Sequence, residues 1–209
     1  MPSKPSWSLA EKHLHGDPVL RRIRASIGPC RLTPQRDHFV LLCRAIYSQQ
    51  ISSKVAKVLF ARFCDHFPRK RPTPQRVRKL LARGKSPKSC GLSRQKRKYL
   101  IDLARHFVDG RIPTQLANKT DEEIVEALTA VNGIGRWTAE MFLIFVLNRP
   151  DVWPIGDLGL RAAVQRHFKL PEHPTPKQMT ELAKSWRPYR TIASWYLWRA
   201  VDGDADEWT

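Results

Sequence analysis

The sequence predicts an all-α fold, and three of its features support this prediction. Along most of the 209 residues, apolar side chains recur at steps of three and four, which is the period of an amphipathic helix. Helix-capping residues and first-turn prolines stand at the starts of these periodic stretches. No stretch alternates apolar and polar residues convincingly enough for a strand, and no internal repeat or low-complexity tract is present. We therefore expect helices packed on helices.

The expected domain has two helical halves, at about residues 38–120 and 121–200, with an N-terminal segment in front of them. Residues 1–37 contain short helical pieces that are interrupted by prolines and glycines. One apolar stripe of this segment is expected to cover the core. It consists of Leu14, Val19, Leu20, Ile23 and Ile27.

In the first half, two helices are predicted between residues 38 and 67, with a polar junction at residues 47–52. Ser52 is placed to cap the second of them. A short helix follows near residues 77–81. A longer one, residues 94–108, begins directly after a serine that can cap it.

In the second half, Thr120 and Glu123 fit a capping box at the start of a helical hairpin. Pro176 and Pro188 would each occupy the first turn of a later helix. The helices expected after the hairpin are residues 158–168, 176–186 and 188–200.

The charge of the chain favours a polyanionic partner. The sequence has 37 Lys and Arg against 19 Asp and Glu, a formal net charge of +18. A surplus of this kind is often only a solvated face, but its size favours nucleic acid ahead of a membrane surface. No apolar run approaches the length of a transmembrane helix, and the N-terminus lacks the apolar block of a signal peptide. We expect an intracellular protein that does not associate with membranes.

The four cysteines predict neither a zinc site nor an iron–sulfur cluster. No two of them form a C-x-x-C pair, so we expect reduced and mostly buried thiols. They are Cys30, Cys43, Cys64 and Cys90.

Residues 128–157 contain the most informative pattern in the chain. A predicted helix ends in a tight turn with Gly133 and Gly135, and a very apolar helix follows. Glycines let a backbone approach another group closely, and the N-terminus of the second helix directs its partial positive charge at the same place. The turn is therefore a natural binding site for a phosphate.

Asp157 stands 22 residues after Gly135 and directly before another predicted helix. Its plainest role is an N-cap. The helix dipole also favours an ionised carboxylate at this position, and a fixed negative charge can stabilise positive charge that develops during a reaction. Both roles are compatible. Asp151 is the rival acid in the same segment.

Three features occur in the order found in helix-hairpin-helix DNA glycosylases: Gly-Ile-Gly-Arg-Trp-Thr-Ala, the acid at position 157, and a later Trp-Arg-Pro-Tyr-Arg stretch. Over residues 38–200 the chain resembles this superfamily, and within it the DNA-3-methyladenine glycosylase II branch, which excises alkylated bases. The resemblance implies two helical subdomains that flank a DNA-binding cleft. Asn132 is a departure, since the family usually has proline there, and we expect a slightly less rigid turn.

Two parts of some relatives are not expected here. The N-terminal segment is too short for the sheet domain that some of them carry. No cysteine follows Cys90, so the C-terminal iron–sulfur cluster of other relatives is also not expected.

The resemblance also assigns roles to individual residues. Asp157 matches the catalytic aspartate. Gln50 matches the wedge that fills the gap left by an extruded nucleotide, although a polar helix junction is the competing interpretation. The expected lining of the base pocket is Trp137, Met141 and Trp198, with core packing as the alternative for the aromatic residues. The expected DNA contacts are Gln50, Gly133, Gly135, Arg136 and Thr138. The expected ligands of a structural monovalent cation are the main-chain carbonyls of Thr129, Val131 and Ile134.

Family members that also cut the DNA strand have a lysine at the position of Trp137. The resemblance therefore implies a monofunctional glycosylase that uses water, leaves an abasic site and requires no cofactor. The resemblance also implies the substrates, 3-methyladenine and 7-methylguanine types in double-stranded DNA. Such alkylated bases carry positive charge, and an indole face attracts a cation by about 0.5–2 kcal/mol, which is consistent with this expectation.

Two alternatives to this function stay open. One is a glycosylase for a neutral deaminated base, hypoxanthine or uracil, and the other is a non-catalytic helix-hairpin-helix DNA-binding module. We expect a monomer, in the cytoplasm or nucleoid of a bacterium or the nucleus of a eukaryote.

Overall fold

A computed structural model describes residues 7–82, 87–113 and 115–202, so the predicted N-terminal segment is described only from Trp7 onward. In these residues the chain forms α-helices, three short 3₁₀ helices and no strand, and the all-α prediction is confirmed. None of these helices is long and apolar enough to cross a membrane. The α-helices are α1 (Ser8–Leu14), α2 (Pro18–Ile27), α3 (His38–Ser48), α4 (Ser53–Cys64), α5 (Pro74–Leu81), α6 (Arg94–Val108), α7 (Asp121–Thr129), α8 (Arg136–Phe145), α9 (Leu158–Phe168), α10 (Pro176–Leu182) and α11 (Arg190–Asp202).

The chain divides into two compact units, here called unit 1 and unit 2. Among the described residues, unit 1 contains residues 7–34 together with residues 143–202, and unit 2 contains residues 35–142. The division differs from the predicted halves, because α7 and most of α8 belong with the first half. Hydrogen bonds tie the turn between α7 and α8 to α6 and to Gln49, the residue after α3.

In unit 1, α11 packs against α1, α2 and α9. The buried carboxylate of Glu11, on α1, joins this helix to α11 and α2. The Tyr196 hydroxyl donates to Glu11 Oε1 at 2.7 Å, and the Arg24 guanidinium and the Cys30 N–H also donate to Glu11. Burial raises the pKa of Glu11, but these donors outweigh that effect and hold the pKa below its ordinary value. The N-terminal segment is thus fastened to the last helix.

The predicted apolar stripe of the N-terminal segment contributes to this core. Leu14, Leu20 and Ile23 are buried, whereas Val19 and Ile27 are half-buried. Two aspartates cap helices in unit 1, Asp17 for α2 and Asp157 for α9. Trp186 Nε1 donates to Asp17 Oδ2 at 3.0 Å, so the first of these caps also receives an indole N–H.

The prediction for Pro188 is wrong. Helix α11 begins at Arg190, and the stretch predicted as one helix over 176–186 is α10 followed by a 3₁₀ helix, Ala183–Trp186. The start of α11 is determined by a distant segment. The Thr191 N–H donates to the carbonyl of Pro150, and the Thr191 hydroxyl donates to the carbonyl of Arg149.

In unit 2, α3 and α6 pack together, α4 packs on α3, and α5 packs on α6. Ser52 and Ser93 cap α4 and α6 as predicted, and Thr120 with Glu123 forms the predicted capping box. Each of the four cysteines is a free thiol. Burial raises the pKa of Cys64 to about 11 and keeps that thiol protonated.

Candidate functional site

The Asp157 carboxylate is held in place by two donors. Its Oδ1 accepts the Leu160 N–H at 2.5 Å, which is the N-cap bond of α9. The same oxygen accepts the indole N–H of Trp198 at 2.9 Å. Two donors on one oxygen restrict the rotation of the carboxylate. The predicted capping role of Asp157 is confirmed, and the structure adds a hydrogen bond from Trp198 that the sequence did not predict.

The Trp198 ring is itself fixed by its surroundings. It stacks on Phe145 with ring centroids 5.6 Å apart and an angle of 30° between the planes. Gly159 leaves room beside it, because a Cβ at this position would lie 3.3 Å from Asp157 Oδ1 and 3.8 Å from Trp198 Nε1. Sequence reasoning missed both supporting residues: in the sequence, Phe145 is only one more apolar residue of α8.

Asp151, the rival acid, serves a structural role in unit 1. Both of its carboxylate oxygens accept from the Arg190 guanidinium, at 2.6 and 2.9 Å, and Oδ2 also accepts from Arg187 at 3.1 Å. A carboxylate neutralised by two guanidinium groups is poorly suited to stabilise a further cation. The geometry therefore favours Asp157 as the functional acid.

In unit 2, the turn between α7 and α8 is a type II β-turn. The Ile134 N–H donates to the carbonyl of Val131 at 3.1 Å, and Gly133, the third residue of the turn, has φ of +85°. A Cβ on Gly133 would lie 2.2 Å from the Tyr99 ring. Glycine is therefore required at this position both for its backbone conformation and for space.

The start of α8 presents its backbone to solvent. Gly135 is exposed and a Cβ there would have no neighbour within 4 Å, so the approach to this helix N-terminus is open. The N–H groups of the first helical turn have no acceptor within the helix and favour an anion. The Arg136 side chain is engaged elsewhere, with Glu122 at 3.0 and 3.1 Å and with Glu140 at 3.2 Å. Thr138 is 7% exposed, so a contact from it would come from the main chain.

The three residues predicted to line the base pocket differ in exposure and in the unit to which they belong. Trp137 retains 47% exposure, so core packing does not explain it, whereas Met141 is only 3% exposed and packs in the interior. Both belong to unit 2, whereas Trp198 belongs to unit 1. A base pocket that combines these three residues stays a prediction.

Gln50, the predicted wedge, is exposed and has φ of +59°. A residue other than glycine in this left-handed region carries a strain of about 1–3 kcal/mol, and such strain concentrates at functional sites. Its neighbour Gln49 is anchored, with Nε2 donating to the carbonyl of Gly133 at 2.7 Å. The residue predicted to enter DNA is therefore presented next to the turn predicted to hold phosphate.

The three carbonyls predicted for a monovalent cation lie at this turn. The carbonyl of Val131 already accepts the turn hydrogen bond from Ile134. No group of three or more His, Cys, Asp or Glu side chains among the described residues could hold a metal ion. The cation site formed by main-chain carbonyls stays a prediction.

An all-helical fold with a glycine hairpin and an aspartate fixed at a later helix start defines a helix-hairpin-helix protein of the base-excision-repair class. The chain belongs to the HhH-GPD superfamily of base excision DNA repair proteins, whose family model matches residues 43–188. The family resemblance inferred from the sequence is confirmed.

Curated relatives and solved structures agree with this family. The chain is 37% identical to DNA-3-methyladenine glycosylase 1 of Schizosaccharomyces pombe, over 93% of this chain and 87% of that protein. It is 30% identical to DNA-3-methyladenine glycosylase 2 of Escherichia coli, over 90% of this chain and 67% of that protein. It is also similar to a solved structure of the Schizosaccharomyces pombe 3-methyladenine DNA glycosylase Mag1 in complex with abasic DNA. That match has a TM-score of 0.76, 35% identity, and coverage of 91% of this chain and 95% of the other.

Proposed function

We propose that this protein is a DNA glycosylase that hydrolyses the N-glycosidic bond of alkylated purines in double-stranded DNA and leaves an abasic site. The observation that carries the proposal is the Asp157 carboxylate, which is oriented by the first turn of α9 and by Trp198. Relatives that cover most of the chain are DNA-3-methyladenine glycosylases, which supports the substrate class.

The chemistry needs a fixed negative charge. When the N-glycosidic bond breaks, the bonding electron pair leaves with the base and positive charge develops on the sugar as an oxocarbenium ion. A carboxylate that is already oriented stabilises this charge without reorganising, which lowers the barrier. Water then adds its oxygen to the sugar carbon and releases a proton. Asp157 is suited to orient this water as well as to stabilise the cation.

Trp198 supports selection of positively charged bases. Alkylation at a ring nitrogen gives 3-methyladenine and 7-methylguanine nucleotides a positive charge, and an indole face attracts a cation. The hydrogen bond from its N–H to an anionic carboxylate makes the indole more electron-rich and strengthens this attraction. A cationic base is also a good leaving group, so the site needs few hydrogen bonds to the base edge.

The hairpin of unit 2 would hold the DNA backbone. Its open glycine and the first turn of α8 would bind a phosphate near the lesion. Gln50 would fill the space left by the extruded nucleotide. Rotating a base out of the duplex costs a few kcal/mol, and least for a damaged base that pairs poorly, which contributes to selectivity.

The absence of an amine nucleophile from the hairpin position favours hydrolysis. Trp137 stands where a strand-cutting enzyme would carry a lysine for a Schiff base with the sugar. We therefore propose a monofunctional, cofactor-independent enzyme that acts inside the cell as a monomer on DNA containing alkylated bases.

The direct test is to incubate methylated duplex DNA with the protein and to identify the released bases by chromatography. We expect 3-methyladenine and 7-methylguanine, with the DNA strand left intact until alkali is added. A parallel duplex with hypoxanthine distinguishes the two kinds of substrate. Faster release of hypoxanthine than of 3-methyladenine would contradict the proposal, and so would a strand cut without alkali.

A further inference from the structure

The type II turn before α8 is held by a buried acid from another helix. Asp102, on α6, is 7% exposed, and its Oδ2 accepts the Asn132 N–H at 2.9 Å and the Asn132 Nδ2 at 2.7 Å. Asn132 is the second residue of this turn, directly before Gly133. The backbone and the side chain of one turn residue are thus bound by a single carboxylate oxygen.

The acid is arranged to remain ionised. The Arg105 guanidinium donates to Asp102 Oδ1 at 2.6 Å, and His106 Nδ1 lies 3.6 Å from the same oxygen. Burial raises the pKa of Asp102, but the two Asn132 donors, His106 and Arg105 lower it by more, so that the pKa lies below its ordinary value. The bonds to Asn132 are therefore charge-assisted and stronger than bonds between neutral groups.

The same face of α6 contacts the turn a second time. Tyr99, one helical turn before Asp102, has its ring where a Cβ of Gly133 would be. The carbonyl of Gly133 accepts from Gln49 on the other side. The turn is thus fixed by its second and third residues, and these lead directly into the N–H groups at the start of α8.

We propose that Asp102 is a positioning residue for DNA binding, which acts by holding Asn132 so that the turn has its phosphate-binding shape before DNA arrives. The inference rests on the proposed function, since it assigns the hairpin to a DNA phosphate. Asn132 occupies the turn position where proline is favoured because its ring presets φ. In this protein the hydrogen bonds from Asn132 to Asp102, on α6, restrict the turn in the way that a proline ring would.

The proposal predicts a rescue that a merely structural acid would not show. Asp102→Ala removes the acceptor, and since Asn132 is exposed, water can solvate its released donors. Asp102→Ala should weaken the affinity for duplex DNA by about tenfold or more, as expected for loss of a charge-assisted hydrogen bond. Asn132→Pro, added to Asp102→Ala, should restore most of the affinity because the turn is preset again. Asn132→Pro alone should lower the melting temperature, since it leaves the buried carboxylate without two donors.

The measurement is the dissociation constant for a duplex that carries a tetrahydrofuran abasic-site analogue, together with the excision rate at saturating methylated DNA. Asp102→Ala should raise the dissociation constant and leave the saturating rate near that of the wild type. Asp109→Ala, an exposed acid just after α6, is the matched control and should change neither. If Asp102→Ala does not fold, Asp102→Leu, which keeps a branched side chain of similar size and has no acceptor, is measured in its place and paired with Asn132→Pro.

The proposal is overturned if the dissociation constant does not change, if the saturating rate falls as much as the affinity, or if proline gives no rescue. A protein that releases no base while its DNA affinity still responds to these substitutions would contradict the proposed glycosylase function and leave the role of Asp102 standing.

Discussion

The hydrogen bond from Trp198 to Asp157 gives a prediction whose size follows from the structure. Trp198→Phe removes the indole N–H that lies 2.9 Å from Asp157 Oδ1 but keeps an aromatic ring that can stack on Phe145. A hydrogen bond to a charged group contributes about 1.5–3 kcal/mol. If this contribution is made in the transition state, excision slows by about tenfold to about 150-fold.

The assay is release of 3-methyladenine from methylated duplex DNA under single-turnover conditions, in which the observed rate reports chemistry. Trp186→Phe is the matched control, because Trp186 also donates its indole N–H to an N-cap aspartate, at 3.0 Å. That substitution should lower stability and leave the saturating excision rate unchanged. A double-mutant cycle separates orientation from base recognition: in an Asp157→Asn background, Trp198→Phe should have little further effect on rate.

Two results would refute this reasoning. One is a Trp198→Phe enzyme that excises at the wild-type rate. The other is an equal loss of rate in the presence and in the absence of the Asp157 charge, since Trp198 would then act on the base alone.

Three further predictions follow from the geometry. Gly159→Ala should keep or raise the melting temperature, because alanine favours a helix by about 0.5–1 kcal/mol. It should nevertheless slow excision, since its methyl group would lie 3.3 Å from Asp157 Oδ1, and an unchanged rate would contradict this. Gly133→Ala should lower stability and DNA affinity together, because its Cβ would lie 2.2 Å from the Tyr99 ring. Gly135→Ala should have the melting temperature of the wild type, because a Cβ there has no neighbour within 4 Å. Equal melting temperatures for the two variants would contradict this prediction. Tyr196→Phe should destabilise the protein by about 1–3 kcal/mol at neutral pH. The pKa of Glu11 is lowered from 4.5 in the folded state, so the stabilisation by the ionised Glu11 is present above pH 4.5 and is lost as the pH falls through the lowered pKa. Urea titrations should therefore show that the difference in unfolding free energy between Tyr196→Phe and the wild type becomes smaller in acid. A difference that stays constant with pH would contradict the role of Glu11.

The features predicted correctly from the sequence are those with local causes. Ser52, Ser93 and the pair Thr120 and Glu123 cap helices through bonds to residues three positions away, which a sequence displays directly. The capping role of Asp157 was predicted in the same way, because its bond to Leu160 also spans three residues. The turn at Gly133 and Gly135 was also predicted from neighbouring residues, since its hydrogen bond joins Val131 and Ile134.

The features that were missed depend on residues far apart in the chain. Helix α11 begins at Arg190 rather than Pro188 because Thr191 bonds to a segment about 40 residues earlier. The bond that orients Asp157 joins it to Trp198 across 41 positions. Asp102 was not predicted at all, since its bonds to Asn132 span 30 positions and nothing in the local pattern of α6 distinguishes it from a solvated acid.

The most direct test of the catalytic assignment compares two aspartates that cap helices in the same unit and accept an indole N–H. Asp157→Asn and Asp17→Asn both keep an acceptor for the cap and remove one negative charge. Excision of 3-methyladenine at saturating DNA, measured beside the melting temperature, separates charge from structure. We expect Asp157→Asn to fold and bind DNA but to lose at least about 100-fold in rate, and Asp17→Asn to excise normally. Normal excision by Asp157→Asn, or an equal loss in both variants, would contradict the account.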